Sequence, residues 1–126
     1  MVSNDSIERY MLDMGLEYET VSDGMWVVHD DMVPNIVVKR SDSVVVFRVK
    51  LMELPSNGAR ADLLEKLLTL NATEMVHGAY GLENGAIVVV EALEVENLDY
   101  NEFQAAIDSI TMSISQHYPV LNEFRN

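Results

Sequence analysis

Apolar residues recur at two spacings along this chain, and the spacing changes at turn-forming residues. Ile7, Met11 and Met14 fall three to four apart and predict a helix over residues 4–14, with Asp5 and Glu8 as its capping box and Gly15 just past its end. Residues 16–52 read as extended segments. Met25–Val28 is a short strand after the Asp23-Gly24 turn, and Ile36–Val38 begins another after a polar connection that contains Pro34. Ser43–Met52 is a long strand, and Leu16–Val21 is a possible additional edge strand. A second helix follows over 59–72, with a broad apolar band of Leu63, Leu64, Leu67, Leu68 and Leu70.

Thr73–Leu82 and Ala86–Leu93 read as two more strands joined by Glu83-Asn84-Gly85, since Asn-Gly is the strongest short hairpin signal. The last helix starts at Asp99, with Glu102 completing a capping box and Leu98 and Phe103 forming a hydrophobic staple. Phe103, Ile107, Ile110 and Ile114 make one face, and Pro119 is expected to end the helix near Tyr118. Beyond it, Leu121 and Phe124 can still dock. The order is α-β-β-β-α-β-β-α. With no βαβ rhythm, it predicts an α+β domain over residues 1–126, a largely antiparallel sheet with helices packed on it.

Two apolar runs alter this picture. Val44-Val45-Val46-Phe47 and Ile87-Val88-Val89-Val90 are continuous rather than alternating. A half-solvated antiparallel strand alternates, so unbroken runs call for cover on both faces of the sheet. Three helices of these lengths roof one face. A second subunit or a partner chain would take the other, unless the N-terminal helix folds across it. Val45, Phe47, Val88 and Val90 are therefore the candidate sheet-face contacts. On the second helix, Leu63, Leu67 and Leu70 are the candidate self-association residues, with Leu64 and Leu68 turned to the sheet; the alternative is that all five are core. Eight methionines add adaptable apolar surface.

Composition narrows the function. The chain has 126 residues, 48% of them apolar, and a net charge of −13. Such a charge disfavours nucleic acid and anionic membranes as partners and favours a basic polypeptide. Without cysteine there is no disulfide, thiolate nucleophile or cysteine zinc site. No signal-peptide pattern or span-length apolar run is present, which suggests a cytoplasmic protein. Nucleophile-elbow, P-loop and zincin motifs are missing, and Gly78, Gly81 and Gly85 do not form a dinucleotide-binding pattern. His29, His77 and His117 sit on three separate elements, so no metal or other cofactor is expected. His117 is expected to interact with a helix C-terminus. An enzyme is not expected.

The second half carries a family resemblance. Ala61–Asn71 (ADLLEKLLTLN), then Gly78-Ala79-Tyr80-Gly81-Leu82 and the Asn84-Gly85 hairpin, and then Asp99–Leu121 closing on His117-Tyr118-Pro119, resemble the YbjN-like proteins. Element order, size and acidity resemble the related type III secretion chaperones of the Tir-chaperone class. The resemblance implies a homodimer that holds an extended segment of a partner polypeptide without ATP. A regulatory or sensory domain with a small-ligand pocket lined by Trp26, Tyr80 and methionines is the alternative.

Overall fold

The computed structural model describes residues 2–125. Nine elements follow one another: α1 (Asn4–Asp13), β1 (Glu17–Ser22), β2 (Met25–His29), β3 (Ile36–Ser41), β4 (Val44–Glu53), α2 (Arg60–Thr73), β5 (Ala79–Glu83), β6 (Ala86–Glu94) and α3 (Tyr100–Asn122). The six strands form one sheet in the order β1-β2-β3-β4-β6-β5, with every neighbouring pair antiparallel. The α+β class and antiparallel sheet are those expected. The possible edge strand is real, so the first meander has four strands.

Turn chemistry sets the hairpins. Gly24, Asp42, Asn84 and Gly85 all have positive φ. Asn84 and Gly85 in succession give the paired left-handed residues of a tight hairpin whose twist matches its strands. β5 is shorter than expected, because residues 73–78 complete α2 and then turn. Gly78 marks its start: φ is +83°, and a Cβ there would lie 3.0 Å from the Val90 carbonyl oxygen. Only glycine lets the backbone pass β6 that closely.

The helix caps differ from expectation in two places. The N-cap of α1 is Ser3, in a reciprocal box with Ser6, rather than Asp5 with Glu8. Glu8 instead accepts the Trp26 indole N–H at 2.8 Å. At α3, Asp99 accepts from the Glu102 amide as expected, and Leu98 and Phe103 are both buried. Pro119 does not end α3, which runs on to Asn122. The ring removes the bond to the Ser115 carbonyl, but continuing the helix buries Leu121 completely and docks Phe124 against the core. That burial offsets the lost bond.

Period-two alternation then sorts the sheet into two faces. Across the inner face, Val28, Ile36, Val49, Val89 and Tyr80 form one cross-strand row. Trp26, Val38 and Phe47 form the next. These residues join Ile7 and Met11 of α1, Leu63, Leu67 and Leu70 of α2, and Phe103, Ile110 and Ile114 of α3 in a single buried cluster.

Candidate partner-binding surface

The outer face carries a different row. Glu19, Val27, Val37, Arg48, Val90 and Ala79 are cross-strand neighbours, and Met25, Lys39, Val46 and Ala92 lie beside them. Among the described residues, none of these valines belongs to the buried cluster that unites the three helices with the inner face. Ala86 and Val88 are buried, yet they too lie outside that cluster. They line an outer-face cleft of about 470 Å³ together with Val37, Arg48 and Lys50. The long stems of such cations cover aliphatic surface while their charges stay in water. Arg48 pairs with Glu83 and Lys50 with Glu53 at the rim of this cleft.

One half of each unbroken apolar run faces the helices, and the other half faces away from them. The halves must be reassigned, however. Val45 and Phe47 point inward, fully buried beneath the helices, so they offer nothing to a partner. Val44 and Val46 are the outward positions of that run. Val88 and Val90 are on the outer face, as their candidacy requires.

The leucines of α2 need the same correction. Leu63, Leu67 and Leu70 are core residues of this one chain, at 0%, 5% and 3% exposure. Leu64 is half-buried and Leu68 is exposed, so the face turned away from the sheet is the opposite of the one expected. A band five leucines wide cannot tell its buried stripe from its outer one by spacing alone. Leu64 and Leu68 border an apolar groove of about 330 Å³ between α2 and β5, with Leu67, Asn71, Tyr80 and Leu82. Leu68, Val76 and Leu82 are all exposed large hydrophobics on α2, on β5 or in the segment between them.

The floor of this groove is held by polar bonds. Asn71 accepts the Tyr80 amide N–H at 2.7 Å and donates its own amide to the Tyr80 carbonyl at 3.1 Å. The Tyr80 phenol bonds His117 Nδ1, and His117 Nε2 lies 3.4 Å from Glu74. Both ring nitrogens of His117 are thereby engaged, Nδ1 by the phenol and Nε2 by the Glu74 carboxylate. Burial, and then the Glu74 charge, push the Tyr80 pKa up. His117 is thus a buried internal residue of α3 linking it to β5, rather than the helix-terminal residue expected. His77 pairs instead with Glu91, and His29 with Glu19. Among the described residues no three His, Asp or Glu side chains converge to hold a metal.

Trp26 and Tyr80 do not share a pocket. They lie on β2 and β5, four strand spacings or about 19 Å apart. Trp26 is buried in the core. No helix among the described residues is long and apolar enough to cross a membrane.

Known structures with the same arrangement share little sequence with this chain. A chain of the heterodimeric ExoU–SpcU complex, from the type III secretion system of Pseudomonas aeruginosa, superposes with a TM-score of 0.74 at 19% identity, covering 91% of this chain and 97% of that one. YbjN from E. coli gives 0.67 at 17% identity, covering 91% and 90%. The Yersinia pestis type III secretion chaperone SycH, in complex with a fragment of YscM2, gives 0.58 at 17%, covering 84% and 91%. No curated protein matches the sequence itself. The CesT_Tir_1 family model, however, matches residues 2–126. With that match across the whole described fold, the chain belongs to the CesT_Tir_1 family.

Proposed function

We propose that this chain is a non-enzymatic, cytoplasmic chaperone-like module that holds an extended segment of a partner polypeptide. The observation that carries this reading is a sheet roofed by helices on one face only, with Val27, Val37, Val46, Val88 and Val90 on the other. Extended segments bind such sheets by adding a strand at an open edge and by laying alternate side chains on an apolar face. The net charge of −13 favours a segment rich in Lys and Arg and keeps the complex soluble. The ExoU–SpcU and SycH structures, each containing a second protein, support a role of this kind.

Two copies are proposed to associate through the groove between α2 and β5. Leu64, Leu68 and Leu82 supply an apolar patch that a two-fold axis makes self-complementary.

The test is a set of peptides tiled across the proteome of the native host and screened for binding, followed by NMR mapping of the bound ones. Shifts at Val37, Val46, Val88 and Val90 or along β1 are the expected result. If bound peptides map to the helical side instead, the reading fails.

A further inference from the structure

The two edges of the sheet are not equally available to another strand. β1 and β5 are the edge strands. Alternate residues of an antiparallel edge strand turn their N–H and C=O toward the neighbouring strand and then away from it. Tyr80 gives both its groups to Asn71, so they point away from β6. With unbroken register across β5, Leu82 is then the other residue of Ala79–Glu83 that turns its groups outward.

Asn71 meets Tyr80 as a neighbouring strand would, with one acceptor and one donor. It reaches there from the last turns of α2, and Tyr80 is in turn anchored through its phenol to His117 of α3. An incoming strand at β5 finds one free residue, too few for a ladder. β1 has no such bracket. It pairs with β2 alone, five of its six residues are exposed, and among the described residues no side chain bonds its backbone. Its Glu17 and Glu19 stand two apart on the outer face, matched in sign to a Lys- or Arg-bearing strand.

We propose that Asn71 closes the β5 edge to strand addition, so that backbone pairing with another polypeptide is confined to β1 and the α2–β5 groove accepts side chains only. This deepens the reading above and rests on it for what the open edge receives. The closure itself is tested on the chain alone, without a partner, so the two fail separately.

The experiment compares wild type with Asn71→Ala by light scattering across a concentration series and by amide exchange at low concentration. Wild type is expected to hold one mass, whereas Asn71→Ala grows in mass with concentration. At low concentration the Tyr80 amide of the variant exchanges roughly tenfold faster than in wild type. Adding Leu82→Pro, which removes the remaining outward N–H, is expected to abolish the growth, whereas adding Leu82→Ala, which shortens the side chain of the groove but keeps the N–H, is expected to preserve it. Constant mass together with unchanged Tyr80 exchange in Asn71→Ala overturns the proposal. If the alanine variant does not fold, the near-isosteric Asn71→Asp is read instead: it keeps the acceptor and loses the donor. Growth in its mass supports the closure, and wild-type mass overturns it.

Discussion

The Trp26 indole donates its N–H to the Glu8 carboxylate at 2.8 Å, which ties α1 to the second strand of the sheet. Trp26 is otherwise enclosed, at 1% exposure, so its N–H has nowhere else to turn. Glu8→Ala is expected to cost about 1–3 kcal/mol, the penalty for leaving a buried donor without a partner. Glu8→Gln retains an acceptor and is expected to cost less. Urea unfolding followed by tryptophan fluorescence measures both, and equal losses for the two variants contradict the hydrogen-bond account.

Neighbouring leucines on α2 are expected to respond in opposite ways. Leu67 is 5% exposed and Leu68 is 69% exposed. Leu67→Asp places a carboxylate in the core and is expected to unfold the chain or lower its stability by several kcal/mol. Leu68→Asp is expected to leave the circular dichroism spectrum intact and to dissociate the proposed dimer in light scattering. A folded, dissociated Leu67→Asp protein, or a Leu68→Asp protein still dimeric, contradicts this assignment.

These leucines also show where sequence reading stops. The strands, the Asn84-Gly85 hairpin and the Asp99 cap are local, since each is set by residues within a few positions of one another. The class and sheet type follow from them. Which side of the α2 band is buried depends on the position of β5, and no spacing within α2 encodes that. In Val44–Phe47 a continuous run conceals the alternation, so Val45 and Phe47 could be assigned to either face until β3 and β6 were in place. Asn71 belongs to a different category. It lies nine positions before Tyr80, and a polar residue near a helix end gives no sign that it will bracket a strand. At Pro119 the local penalty for proline points to a helix end, and only the tertiary burial of Leu121 beyond it carries α3 on to Asn122.

The two faces of β4 offer a direct test of the sheet's asymmetry. Phe47 is fully buried and meets Phe103 edge-on, with ring centroids 5.3 Å apart. Phe47→Ala is expected to cost about 3–5 kcal/mol through lost burial and a residual cavity. Val46→Thr changes one methyl to a hydroxyl on the outer face and is expected to stay within about 0.5 kcal/mol of wild type, as surface substitutions do. Thermal melts of the two variants give the comparison. A large loss for Val46→Thr means that the outer face is covered in the free protein.

The last prediction concerns pH and the open edge. His29 on β2 bonds Asn35 through Nδ1 at 3.0 Å and reaches Glu19 of β1 through Nε2 at 3.4 Å. With both ring nitrogens facing oxygen acceptors, the imidazolium is favoured. Its pKa is raised above 6.5, chiefly by the Asn35 hydrogen bond, which desolvation opposes and to which Glu19 and then Glu17 add. A raised folded-state pKa stabilises the fold fully below the unfolded value of 6.5, and that contribution is lost as pH climbs through the folded value. Wild type is therefore expected to gain stability relative to His29→Gln at pH 5.5 and to lose that advantage by pH 8. Because the bond spans β1 and β2, amide protection along Glu17–Ser22 is expected to follow the same course. Parallel denaturation curves at the two pH values, with protection factors corrected for intrinsic exchange, decide it. A difference between the variants that is the same at both pH values removes His29 from the hold on β1.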